Sequence, residues 1–144
     1  QVKKILALND KFYVEEMIKG IEITVGILNG KALPVVEIIP PKNGWFDYKN
    51  KYSGKSSEIP FAPSVDKQIQ TLAQKISLKI HKDLKLGSYS RSDFIVKNGE
   101  VYILETNTPG GVGLTAESLF PKAAKAEGIS FEKLIDTLVK LALT

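Results

Sequence analysis

Ser90-Arg91-Ser92-Asp93-Phe94-Ile95-Val96-Lys97-Asn98-Gly99-Glu100-Val101-Tyr102-Ile103-Leu104-Glu105-Thr106-Asn107 reads as two strands folded back on each other. β-branched and aromatic residues fill much of both arms, and Asn-Gly between them favours a tight hairpin turn. Side chains alternate along a strand, so Glu105 and Asn107 share a face. Whether Asp93 joins them depends on the turn. A two-residue Asn98-Gly99 loop sets Asp93 opposite Leu104, on the wrong face. A three-residue loop, Lys97-Asn98-Gly99 with Gly99 left-handed, pairs Asp93 with Ile103. That gathers Arg91, Asp93, Glu105 and Asn107 on one face. The three-residue loop, or an equivalent bulge, is the expectation. Oxygens from Asp, Glu and Asn suit Mg²⁺, which takes a few protein oxygens and completes its shell with water and nucleotide phosphates. The bland alternative is a row of solvent-facing polar residues on a half-buried sheet.

Working outward, Ile21, Ile23, Val25 and Ile27 alternate with Glu22, Thr24 and Gly26, as in a half-buried strand. Asn29-Gly30 turns the chain. Residues 33–39 return, with Pro34 near the start, where an edge tolerates it. Phe12-Tyr13-Val14 reads as a further strand. Residues 2–8 read as a short helix or the end of one. Residues 40–63 have little periodicity and are expected to form a long loop, a common form for functional lids. A helix is expected over 66–86, with Ile69, Leu72, Ala73, Ile76 and Ile80 as its apolar stripe. Ser64 or Asp66 caps its start and Gly87 stops it. Lys67, Lys75, Lys79 and Lys82 form its solvated face, and His81 is expected to be an exposed bystander. A helix near Ser118 stops before Gly128. The last one starts at Ser130 and buries Phe131, Leu134, Ile135, Leu138 and Leu141. The fold class is therefore α+β, a mainly antiparallel sheet with packed helices.

The composition narrows the chemistry. The 144 residues are 43% hydrophobic and 25% charged, ordinary globular usage. No linker or repeat interrupts them, so residues 1–144 are expected to form one domain. No apolar run reaches the ~20 residues that cross a bilayer. Cysteine is absent and His81 is the only histidine, which removes thiol nucleophiles, disulfide frameworks, zinc ribbons and most histidine-based dyads. The 20 Lys and Arg exceed the 16 Asp and Glu by a net +4, a mild surplus that reads as a soluble surface. No aromatic platform lies among the basic residues, so nucleic acid is not an expected partner.

Three further features carry chemistry. Thr108-Pro109-Gly110-Gly111-Val112-Gly113-Leu114-Thr115 lets backbone approach a ligand and leads to a helix N-terminus, which favours an anion. Ser118 either caps that helix or holds a substrate carboxylate. Glu15, Glu16 and Glu22 flank the first strands around Ile18. Lys51-Tyr52 lies in the long loop, where a lysine acts as a mobile point charge for a phosphate.

Taken in order, several segments resemble the ATP-grasp C-terminal lobe of the D-alanine–D-alanine ligase family. They are Val14-Glu15-Glu16-Met17-Ile18-Lys19-Gly20-Ile21-Glu22-Ile23-Thr24-Val25-Gly26, Ala32-Leu33-Pro34-Val35-Val36-Glu37-Ile38, Phe46-Asp47-Tyr48-Lys49-Asn50-Lys51-Tyr52, Arg91-Ser92-Asp93-Phe94, Leu104-Glu105-Thr106-Asn107-Thr108 and Ser118-Leu119-Phe120-Pro121-Lys122-Ala123-Ala124. The resemblance runs from about Val14 to the end. It implies a bacterial, cytoplasmic enzyme that joins two D-alanines with ATP through an acyl phosphate, for peptidoglycan synthesis. By the same resemblance Glu15 contacts the adenine amine, Ile18 lies at the adenine and Glu22 holds the ribose. Lys51 reaches a phosphate and Tyr52 closes the loop over the site. Asp93, Glu105 and Asn107 ligate two Mg²⁺ ions, with Mn²⁺ as an alternative. Arg91 and the Gly113 N–H stabilise the oxyanion, and Ser118 and Leu119 bind the second D-alanine's carboxylate. The partners implied are ATP and D-alanine, with no membrane and with a homodimeric parent.

Two departures qualify the resemblance. The segment after Asn107-Thr108 is two residues longer than the family pattern, so Gly110 or Gly111 stand as alternatives to Gly113. The family's N-terminal domain and the earlier part of its central domain have no counterpart here. The chain is therefore expected to be a fragment, inactive alone and binding MgATP weakly at best. The rival readings are another carboxylate–amine ligase on the same fold, such as the D-alanine–D-lactate type, and a non-catalytic basic binding module.

Overall fold

A computed structural model describes residues 14–40 and 57–143. The alternating segment from Ile21 forms β1 (Ile21–Leu28), buried from Ile23 onward on both faces. Asn29 and Gly30 both have positive φ, 46° and 70°, as a primed two-residue turn requires. The returning segment is split into β2 (Lys31–Ala32) and β3 (Val36–Ile39). Pro34, which has no N–H to donate to a ladder, lies in the gap. The expected loop over 40–63 contains β4 (Ser57–Pro60), which pairs antiparallel with β3. β5 (Tyr89–Lys97) and β6 (Glu100–Asn107) form the quoted hairpin. The sheet runs β4-β3-β1-β5-β6, with β2 attached to β1.

Helices cover both faces. α1 (Lys67–Asp83) packs Ala73, with Ile69 and Ile76, on Ile23, Val25, Ile27, Phe94 and Val96. α2 (Leu119–Ala126) and α3 (Phe131–Ala142) bring Phe120, Ala123, Ala124, Leu134 and Leu138 onto Leu28, Leu33 and Val36. Burying each of Ile23, Val25, Ile27 and Phe94 contributes roughly 1.5–3 kcal/mol. These two cores explain why β1 carries no solvent-facing polar row.

Several local expectations change. Val14 is exposed and lies outside any strand, while Phe12, Tyr13 and the segment 2–8 fall outside the described residues. α1 is capped by Asp66, whose carboxylate accepts from the Gln68 N–H at 2.7 Å. It ends before Gly87. Lys85 takes the left-handed position, φ 52°, and the Leu86 N–H closes on His81 O at 3.0 Å. Leu72 is 43% exposed, and Ser77 and His81 take its place on the buried face. His81 is thus no bystander: its Nδ1 lies 2.8 Å from the Oγ of fully buried Ser90. Among the described residues, no helix is long and apolar enough to cross a membrane.

Gly26 sets the distance between β1 and α2. A Cβ there would stand 2.7 Å and 2.9 Å from ring carbons of Phe120, itself 1% exposed, and 3.1 Å from a Leu33 methyl. Gly26→Ala should therefore destabilise the fold by about 1–3 kcal/mol, as overpacking does. Urea denaturation followed by circular dichroism measures it; an unchanged midpoint would show that α2 yields freely.

Candidate active site

β5 lies between two ladders of different quality. On one side it pairs with β1 without interruption, from Ile21–Val96 to Leu28–Tyr89. On the other it meets β6 through a two-residue turn, Lys97 opposite Glu100, with Asn98 at φ 53° and Gly99 at φ 80°. The three-residue loop does not form. The register instead shifts between Phe94 and Asp93: Phe94 faces Ile103, Asp93 faces Glu105, and Leu104 is left over as a bulge. Arg91 then faces Asn107. The bulge restores the parity that the short turn removes, and all four side chains fall on the face toward α2.

Arg91 grips Asp93 as a fork, Nε to Oδ1 at 3.0 Å and an Nη to Oδ2 at 2.8 Å. Both side chains are nearly enclosed, 12% and 9% exposed. The Asn107 Nδ2 donates to Asp93 Oδ2 at 3.3 Å and to Glu105 Oε1 at 3.1 Å, bridging the two carboxylates. Thr24, opposite Asp93 on β1, donates its hydroxyl to Oδ1 at 2.6 Å. Burial alone would lower the pKa of Arg91. The hydrogen bonds and charge of Asp93 outweigh it, with Glu105 and Glu58 adding at longer range, and the guanidinium is held above its ordinary value.

The glycine-rich segment is anchored along its length. Pro109–Gly111 forms a 3-10 turn, closed by the Gly111 N–H on Thr108 O at 2.8 Å. The Tyr89 hydroxyl donates to Pro109 O at 3.1 Å, and Val112 is 5% exposed in the second core. A Cβ on Gly111 would stand 3.1 Å from Asn107 Oδ1, and one on Gly113 would stand 2.8 Å from Ser118 Oγ. Gly110 has open space. Ser118 precedes α2 but makes no side-chain cap bond; its Oγ instead meets Thr115 Oγ1 at 2.8 Å and accepts from the Thr115 N–H at 3.2 Å.

Comparison with known proteins gives this chain a family. The family described as D-ala D-ala ligase C-terminus matches residues 1–140. The chain belongs to that family. It is 43% identical over 141 residues to a D-alanine–D-alanine ligase of Maridesulfovibrio salexigens, covering 97% of this chain and 46% of that protein. It is 44% identical over 136 residues to one of Aquifex aeolicus, covering 94% and 45%. The fold is similar to that of a Bacillus anthracis D-alanine–D-alanine ligase complexed with ATP, with a TM-score of 0.72, 34% identity, and coverage of 90% of this chain and 40% of that one. The chain spans less than half the length of these relatives.

In this ligase C-terminal chain the structure joins Arg91, Asp93, Glu105 and Asn107 directly. It sets Ser118 beside Gly113 and places Glu22 on the same face of β1 as Thr24. Glu15 and Ile18 lie in the irregular segment ahead of β1, exposed and half-buried, outside this hydrogen-bonded group. Lys51 and Tyr52 fall outside the described residues. The residue types suit a small hard cation: two carboxylates and a carboxamide converge, with the Asn107 NH2 now spanning the space between the carboxylates that a cation would take. Among the described residues no group of three or more His, Cys, Asp or Glu could hold a metal, so the Asn107 carbonyl and non-protein oxygens would have to complete such a shell.

Sequence reading missed Thr24, Glu58 and Lys122. Thr24 is a polar residue in a strand buried on both sides, and a buried hydroxyl needs a partner. Lys122 interrupts the apolar run of α2. Its Nζ lies 2.7 Å from Glu58 Oε2 and 3.5 Å from Glu117 Oε2, tying α2 to β4. Burial lowers the Lys122 pKa, but Glu58 and then Glu117 reverse this and raise it. The pair is 31% and 13% exposed, between the surface and buried regimes. Lys122→Met should cost about 1–2 kcal/mol by leaving Glu58 unpaired. The double variant with Glu58→Met should recover part of it. Strictly additive losses in urea denaturation would mean that the two do not interact.

Proposed function

We propose that this chain is the C-terminal lobe of a bacterial, cytoplasmic D-alanine–D-alanine ligase, with residues 1–144 as one domain of a longer enzyme. The observation that carries the reading is the bulge that turns Asp93, Glu105, Asn107 and Arg91 toward one point in a chain of this family. The reaction asks for positioning and charge stabilisation rather than a protein nucleophile. That agrees with a chain lacking cysteine and with its one histidine buried on the opposite face.

In this reading the terminal phosphoryl group of ATP passes to the carboxylate of the first D-alanine, giving an acyl phosphate and ADP. The amine of the second D-alanine attacks the acyl carbon. The tetrahedral intermediate loses phosphate and a proton, leaving D-alanyl-D-alanine. Glu15, Ile18 and Glu22 bind the nucleoside, and Lys51 meets a phosphate beneath Tyr52. Asp93, Glu105 and Asn107 hold Mg²⁺, which when bound offsets phosphate charge. Arg91 offers the oxyanion the guanidinium donors that Asp93 does not occupy. The Gly113 N–H is the second oxyanion donor, adjoining Ser118, which with Leu119 receives the acceptor carboxylate.

The test is made on the full-length ligase with MgATP and D-alanine, following phosphate release and weighing the product. D-alanyl-D-alanine with one ADP per bond is the expected outcome; turnover only with D-lactate or another acceptor would discard the substrate. Arg91→Ala should lower kcat by about 10²–10³-fold, as loss of an oxyanion donor does, with little change in the KM for ATP. A variant that loses only ATP affinity would move Arg91 to the nucleotide. Glu105→Gln should remove the response to Mg²⁺ while the protein stays folded; normal activity would remove the metal assignment.

A further inference from the structure

Asp93 is held along its own strand by the Arg91 fork, at 3.0 Å and 2.8 Å, and from the strands on either side. From β6 it meets only the Asn107 amide, at 3.3 Å, across a ladder interrupted at Leu104. From β1 it receives the Thr24 hydroxyl at 2.6 Å, across a ladder that is unbroken. Thr24 is 2% exposed and Asp93 6%, so water does not compete for this bond. A hydroxyl-to-carboxylate bond of this length belongs to the strong, charge-assisted kind. Ser92 O also lies within reach, at 3.2 Å, but the carboxylate is nearer and charged. Branching at Cβ restricts the threonine's rotamers, so its hydroxyl keeps its direction.

We infer that Thr24 is a positioning residue for the cation site: it pins Asp93 Oδ1 from β1 and, together with the Arg91 fork, sets the direction in which Oδ2 faces Asn107 and Glu105. This rests on the proposed function, in which these three residues hold Mg²⁺. Arg91 also holds both oxygens, Oδ1 at 3.0 Å and Oδ2 at 2.8 Å, but it shares a strand with Asp93 and in the proposed function also serves the reacting group. Thr24 is buried within β1, and its hydroxyl reaches the site through Asp93. An orienting partner behind a metal ligand typically changes metal affinity by about 10–100-fold. The effect should depend on the ion. Mg²⁺ demands near-octahedral geometry at short distance, whereas Ca²⁺ accepts irregular shells, so a loosened carboxylate penalises Mg²⁺ more.

The experiment uses full-length ligase saturated with a non-hydrolysable ATP analogue. Bound Mn²⁺ is followed by electron paramagnetic resonance and displaced with Mg²⁺ or Ca²⁺. Thr24→Val keeps shape and branching but loses the hydroxyl; Thr24→Ser keeps the hydroxyl. The expected result is a loss of Mg²⁺ affinity of about tenfold or more in Thr24→Val, a smaller loss for Ca²⁺, and near-normal Mg²⁺ binding in Thr24→Ser. Thr24→Ala replaces Thr24→Val should the latter not fold, and melting curves check each variant. Unchanged Mg²⁺ affinity without the hydroxyl would overturn the role. Equal losses for both ions would also overturn it, since a generally loosened fold predicts that. Failure of the underlying reading looks different: wild type would bind no Mn²⁺ that Glu105→Gln abolishes, and Thr24's role would fall with the site.

Discussion

One unpaired residue, Leu104, sets the parity of the candidate site. Side chains alternate strictly along a strand, so a two-residue turn at Asn98-Gly99 would leave Asp93 and Glu105 on opposite faces. The surplus residue in β6 reverses that alternation for everything beyond it. Glu105 and Asn107 then meet Asp93 and Arg91, while Leu104 itself stays half exposed. The bulge also explains why the hairpin keeps its tight, well-formed turn. The correction is made inside the strand, close to where the chemistry needs it.

The arrangement depends equally on what lies behind it. Two apolar cores grip β1 and β5 from both faces, and the enclosed polar groups are answered in pairs: Thr24 by Asp93, His81 by Ser90, Glu37 by the Ser64 N–H at 3.0 Å. Among the described residues no buried side-chain polar atom lacks a partner. Rigid β1 and β5 thus form a platform, and the more exposed β6 delivers Glu105 and Asn107 to it. The Lys122–Glu58 pair extends the same charged surface toward α2 and Ser118.

Much of this was legible in the residues. Period-two alternation placed β1, Asn29-Gly30 and Asn98-Gly99 marked both tight turns, and Asp93, Glu105 and Asn107 stood out by chemistry. The rest was hidden for physical reasons. A bulge and a longer turn give the same parity, so face-sharing could be anticipated without knowing which device supplies it. Pro34 demoted part of a strand, as its missing N–H dictates. β4 is short, and the irregular composition around it masks its pairing. His81 and Leu72 were misplaced because helical spacing gives the apolar stripe only to within a residue or so. Thr24 and Lys122 were passed over because a partner across the sheet or on another element leaves no mark in the local pattern.

The Thr24–Asp93 bond also joins residues 69 positions apart. The β5–β6 hairpin closes over two residues and can form early, carrying Asp93, Glu105 and Asn107 with it. β1 must close a long loop before it can dock, which is entropically slow. The carboxylates thus share one local hairpin with their Arg91 and Asn107 partners, whereas their hydroxyl clasp comes from the chain's distant half. Such a site belongs to the completed sheet and not to the hairpin alone.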